Sequence, residues 1–273
     1  MIRRPKLLIL PGAIVLVVGF LIPSVAMLLS PPGTSTWQVF ARLGAMLVDP
    51  YDQAIILRTV VFGLIVTGVS LLLGFPIAYL LARSQSRFAG IWLALAIFPL
   101  LLSTVVRTFG WLVILGSNGA IGQVIVALGL ADRGPQLLYT PLAVVLGMTQ
   151  LFLPLAIISC YSAVAQVDEN LDDAARGLGA SRTRTLWTVV VPLSLPGIVV
   201  AATLVFAGST TAYTTPYLLG GTGERVLATQ LFTYASVTVD WAAASATALI
   251  MTVLVFAVSG LSMLLASRKG SIS

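Results

Sequence analysis

Most of the side chains that perform chemistry in proteins are absent or scarce in this chain. It has no histidine, and its one cysteine, Cys160, stands in an apolar run. Metal sites built on imidazole or thiolate, Cys/His nucleophiles and an intrachain disulfide are therefore excluded as organising features. The only lysines are Lys6 and Lys269, so no phosphate-binding loop of the form G-x4-G-K-[ST] can be written. Gly220-Gly221-Thr222-Gly223 leads into Glu224-Arg225 and reads as a turn. Two features remain. Residues 172–184 carry two acids, three arginines and two glycines within thirteen positions. Arg107 stands alone inside an apolar segment.

The elements that position these groups follow from composition. Of 273 residues, 58% are hydrophobic and 9% charged, and the mean hydropathy is +1.04. A water-soluble fold carries roughly a quarter of its residues as charges, so the solvent for this chain is largely lipid. About 20 apolar residues cross the hydrocarbon core as a helix. Six runs qualify: about 7–29, 59–82, 91–115, 138–164, 191–213 and 241–266. They are continuous rather than alternating, which selects helices over strands. The first run is too long for the core of a secretory signal and lacks a small-x-small cleavage pattern. The expectation is an all-α integral membrane protein forming one transmembrane domain over 1–273.

Orientation follows the basic residues. With six spans both termini share a side. That side holds Arg3, Arg4, Lys6, Arg83, Arg87, Arg176, Arg182, Arg184, Arg268 and Lys269, and the other only Arg42, Arg58, Arg133 and Arg225. Both termini are thereby assigned to the cytoplasm. The same distribution accounts for the net charge of +6 without a nucleic-acid partner.

The charged cluster falls in the loop 165–190 between spans four and five. Asp168 is a natural N-cap. Leu171, Ala174, Ala175 and Leu178 recur at i, i+3, i+4 and i+7, which predicts an amphipathic helix over 169–178 with a narrow apolar stripe of small side chains. Asp172 and Arg176 are expected to pair at i,i+4 on the wet side. Gly179 suits the left-handed residue that ends a helix. Such a helix either lies on the membrane surface or packs in a protein groove; alanines and the lack of an aromatic favour the groove.

Asp173-Ala174-Ala175, Gly179, Val189, Val191 and Pro192 match the spacing E-A-A-x3-G-x9-I-x-L-P. The chain thereby resembles the membrane subunits of binding-protein-dependent ABC importers. The stretches 98–122, 137–157 and 214–221 are similar to the spermidine/putrescine-type permeases, in particular the first of their two membrane subunits. The departures are Asp173 where the family usually has Glu, Gly177 within the helix, and Ala212, where relatives often have an acid.

The resemblance implies a type I importer permease in a bacterial inner membrane, forming half of a path for a small polar solute, polyamine-like or amino-acid-like. It implies a second homologous permease, a dimer of ABC ATPases and an extracytoplasmic binding protein as partners, with the bilayer around them. ATP and magnesium would be bound by the ATPase, and no cofactor or catalytic residue would lie on this chain. Asp173, Ala174, Ala175, Arg176, Gly179 and Pro192 would couple the spans to the ATPase.

Residues for the solute path are Arg107, Trp111, Thr211, Tyr213 and Thr214. Arg107 either lines the path or snorkels to the headgroups. The threonines and tyrosine before Pro216 either line a gate or mark the end of a helix. A secondary transporter or channel is the alternative class, and it would call for ion-coupling acids within the spans, which the sequence lacks.

Overall fold

A computed structural model describes residues 11–12, 14–15, 17–29, 32–84 and 86–269. Among these, every regular element is helical. In chain order they are α1 (Ile22–Leu29, preceded by a π-helical turn Val17–Leu21), α2 (Thr36–Val48), α3 (Pro50–Ala82) and α4 (Ala89–Ile97). A 3-10 turn, Phe98–Leu101, leads to α5 (Thr104–Leu115) and α6 (Ala120–Ala127). There follow α7 (Pro141–Ala165), α8 (Glu169–Gly177), α9 (Arg182–Thr185), a π turn Leu186–Val190, and α10 (Val191–Thr211). The chain ends with α11 (Thr214–Gly220), α12 (Leu227–Phe232) and α13 (Trp241–Lys269).

Among the described residues, five helices are long and apolar enough to cross a membrane: Pro50–Ala82, Thr104–Ala127, Pro141–Ala165, Arg182–Thr211 and Trp241–Ser262. Val17–Met27 and Ala89–Leu101 are shorter apolar helices. The start of the first expected run, 7–10, lies outside the described residues. The third expected run, 91–115, differs from the sequence reading: it is interrupted. Pro99 supplies no N–H, the backbone tightens into the 3-10 turn, and Leu102 (φ −83, ψ 142) and Ser103 (φ −55, ψ 131) are extended before α5 begins.

The chain falls into two compact units. One combines Met1–Ile55 with Gln230–Val253. Within it a Ser35/Gln38 capping box starts α2, and the Ser245 hydroxyl of α13 donates to the carbonyl of Met27 at 2.8 Å. The Arg42 guanidinium sits 5.9 Å from the centre of the Tyr234 ring.

The other unit combines Ile56–Thr229 with Leu254–Ser273, and α7 and α10 form its centre. Small residues let these helices approach, as is usual where lipid removes any hydrophobic drive between helices. A Cβ on Gly197 would overlap the methyl of Ala163, and one on Gly208 would meet the Phe152 ring at 2.5 Å. Phe75 and Ala78 of α3 join Cys160, Val164, Val190 and Ala201 in a buried cluster. Arg58, near the start of α3, pairs with Glu224 at 3.2 Å and donates to the carbonyl of Gly223 at 2.8 Å, fixing the turn after α11.

The same substitution should have opposite effects at two helical glycines. Gly197→Ala inserts a methyl into the α7–α10 contact and should cost about 1–3 kcal/mol. Gly68→Ala on α3 meets nothing within 4 Å and should be neutral or stabilising by up to about 1 kcal/mol. Thermal unfolding of the two purified variants in detergent checks the sign of each.

Candidate functional site

The polar helix α8 is built locally as its residues dictate. The Asp168 side chain accepts from the N–H of Asn170 at 3.0 Å, satisfying one free donor of the first turn. Leu178 is the C-cap, and Gly179 follows at φ 88 with its N–H bonded to the carbonyl of Arg176 at 2.9 Å. The N–H of Ala180 closes on the carbonyl of Ala175 at 3.1 Å. This is the left-handed exit that glycine adopts without a Cβ penalty. Pro192 occupies the first turn of α10, where its missing N–H is harmless.

The rotation of α8 about its axis is set by a residue distant in sequence. Arg83, just after α3, donates from Nε to Oδ2 of Asp172 at 2.9 Å and from Nη2 to the carbonyl of Val167 at 2.9 Å. Its Nη1 also lies 3.7 Å from the Glu169 carboxylate. Asp172 is buried and Arg83 nearly so. The expected Asp172–Arg176 pair does not form: Arg176 instead reaches Asp173 at 3.9 Å. An exposed i,i+4 pair contributes about 0.3–0.5 kcal/mol, far less than a shielded, charge-assisted contact with a guanidinium already held by a second bond.

With its acid turned inward, α8 turns its apolar stripe outward. Leu171 is 44% and Leu178 91% exposed, Ala174 is exposed and Ala175 half-buried. Asp173, beside them, is also exposed. Leucines and alanines on the open face of a helix anchored by a buried carboxylate form a surface suited to a partner.

A second constellation surrounds a cavity of about 460 Å³. Thr104 and Arg107 of α5, Leu151, Phe152 and Leu155 of α7, Gly208 of α10, and Ala212 to Thr215 line it. Both breaks in apolar helices abut it: 102–103, before α5, and 212–213, between α10 and α11. The hydroxyls of Thr108 and Thr215 are 3.2 Å apart and join α5 to α11, and the Tyr213 and Tyr217 rings stack at 5.1 Å.

Of the five path residues read from the sequence, Arg107, Tyr213 and Thr214 meet at this cavity. Trp111 packs instead beside Leu115, Ala143 and Leu219, and Thr211 is exposed, its hydroxyl donating to the carbonyl of Ala207 at 2.9 Å. The sequence reading missed Arg83 and Phe152. Arg83 carried only a topology signal, and Phe152 is one aromatic in a long apolar run. Among the described residues no group of three or more His, Cys, Asp or Glu is placed to hold a metal.

Residues 70–271 match the family described as binding-protein-dependent transport system inner membrane component. The spermidine/putrescine transport system permease protein PotB of Salmonella typhimurium is 29% identical over 209 residues, covering 77% of this chain and 73% of its own. The molybdenum transport system permease protein ModB of Mycobacterium tuberculosis is 31% identical over 188 residues, covering 69% of each. Among solved structures, a bacterial alginate ABC transporter, in complex with its alginate pentasaccharide-bound periplasmic protein, has a chain that superposes with a TM-score of 0.77 at 15% identity. That match covers 96% of this chain and 93% of the other. The MetNI methionine ABC transporter, in an inward-facing form, gives 0.60 at 16% identity, over 78% and 93%.

If Arg83 holds α8, its loss should free the helix without unfolding the rest. Removing one partner of a shielded ion pair costs roughly 3–5 kcal/mol, borne here by the local contact. Hydrogen exchange at the amides of 169–177 should accelerate by roughly two to four orders of magnitude in Arg83→Ala. Arg87→Ala, an exposed neighbour, should leave those rates unchanged.

Proposed function

Because the chain belongs to the family of binding-protein-dependent transport system inner membrane components, we propose that it is half of the translocation path of an ATP-driven importer, coupled to a cytoplasmic ATPase through α8. In this reading the protein spans a bacterial inner membrane six times as a single domain with both termini in the cytoplasm. It stands beside one homologous permease, above two ATPase copies that bind the ATP and magnesium. An extracytoplasmic binding protein delivers a small polar solute, either an organic amine or an amino-acid-like molecule. Relatives' names range from spermidine and putrescine to molybdenum, so family membership leaves the cargo open.

The observation that carries the proposal is the presentation of α8. Its buried face is polar and tied to the end of α3 by Arg83, while Leu171, Ala174 and Leu178 stand exposed beside Asp173. A helix held by its acid and offering small apolar side chains transmits force between what it is tied to and what packs on its open face. Asp173 supplies a charge-assisted bond to a basic group of the ATPase. Ala174 and Ala175 permit close approach, Arg176 adds a rim charge, and Gly179 and Pro192 set the exit into α9 and α10.

Two substitutions test this directly. Ala175→Trp holds the helix out of any groove. At Gly179 a Cβ would meet nothing within 4 Å, so Gly179→Val acts through φ alone, at about 1–2 kcal/mol. Both should abolish uptake and release the ATPase on co-purification, with membrane insertion intact. Undiminished transport with full ATPase retention would reduce α8 to a surface loop. Native mass spectrometry of the wild-type complex should give one copy of this chain, one second permease and two ATPases; two copies of this chain without another permease would refute that assembly.

A further inference from the structure

The cavity beside α5 has an unbalanced charge. Arg107 is the one ionised group among its described lining residues, and none of them is acidic. Its Nε and Nη1 are buried and make no hydrogen bond among the described residues. Its Nη2 reaches only the Thr104 hydroxyl, at 3.4 Å. A guanidinium stays charged at any physiological pH and presents a planar fork of donors matched to a carboxylate or another oxyanion. With two of its nitrogens buried and no counter-ion among the described residues, the charge is unfavourable there. Snorkelling does not relieve this, because nitrogens that reached the headgroups would not be buried.

The backbone adds to the same sign. α5 begins at Thr104, in the cavity wall, and Ser103 makes no side-chain cap bond there. The partial positive charge of that helix start therefore falls on the same side as Arg107. Leu151, Phe152 and Leu155 give the part of the wall supplied by α7 an apolar surface. A diamine placed here would set an ammonium against a guanidinium in a medium that screens poorly. A carboxylate would complete the fork.

We infer that the cavity binds an oxyanion carried by the transported solute, with Arg107 as its counter-ion, so that the cargo is amino-acid-like rather than a simple polyamine. This rests on the permease reading above and narrows its substrate class.

The test uses the complete complex in nanodiscs and two probes of equal chain length. Putrescine has an ammonium at each end; 4-aminobutyrate has a carboxylate at one. Binding of each radiolabelled probe is measured directly, with inorganic sulfate as competitor to separate a general oxyanion preference from one for carboxylates. The wild-type complex should bind 4-aminobutyrate at least about tenfold more tightly than putrescine, and Arg107→Gln should erase that preference while Arg107→Lys keeps part of it. Sulfate competition would widen the class to oxyanions in general; its absence would confine it to carboxylates. Equal or tighter binding of putrescine, binding of neither probe, or a preference unchanged in Arg107→Gln would overturn the inference. So would a partner-subunit acid that occupies the fork, seen as loss of the second permease from Arg107→Gln with no probe preference in the wild type. ATPase retention is scored in every variant. Its absence from the wild-type complex counts against the permease reading, whereas a missing carboxylate preference with the ATPase still bound counts against this inference alone.

Discussion

A chain surrounded by hydrocarbon has no water to satisfy its backbone, so each peptide group facing lipid must be bonded within its own helix. This constraint governs where the present chain can depart from helical geometry. Irregular backbone at 102–103 and 212–213 is affordable only against protein or a polar cavity, and both breaks border the cavity that contains Arg107. Discontinuous helices at an intramembrane cavity expose N–H and C=O groups to whatever enters it, a recurring construction in membrane transport proteins. Pro76, Pro154 and Pro196, by contrast, lie inside α3, α7 and α10 without interrupting them.

The apolar runs were legible in the sequence because length and hydrophobicity alone decide them, and the glycine-terminated helix was legible because its cap and left-handed exit are local. Its orientation was not. Local spacing ranked Asp172 with Arg176, but only folding brings in Arg83, 89 positions earlier. The resulting rotation reverses which face of α8 is buried: the acid goes in and the leucines come out. The break in the run 91–115 left traces in Pro99 and Ser103, yet both residues also occur in unbroken spanning helices, so the trace had no fixed meaning. The cavity required contacts among four separate segments and was legible only as isolated candidates. Arg107, Tyr213 and Thr214 came together there, and Trp111 and Thr211 did not.

α7 and α10 run between the two constellations. α7 contributes Leu151, Phe152 and Leu155 to the cavity and runs on to Ala165, just before the Val167 carbonyl that Arg83 grips. From Leu151 to Ala165 a helix rises roughly 20 Å. α10 returns from the far side of α8 and brings Gly208 to the cavity. Between them the contact is tight at both ends, through Gly197 on Ala163 and Gly208 on Phe152. Two helices packed without slack move as a body, because close-packed interfaces rearrange in discrete steps rather than deforming smoothly. In the proposed coupling this pair is the connection between α8 and the cavity, and Phe152 belongs to both, packing on Gly208 and lining the cavity. α11 packs on the same body, where a Cβ on Gly147 would meet Leu219 at 2.5 Å and Thr215 at 2.8 Å.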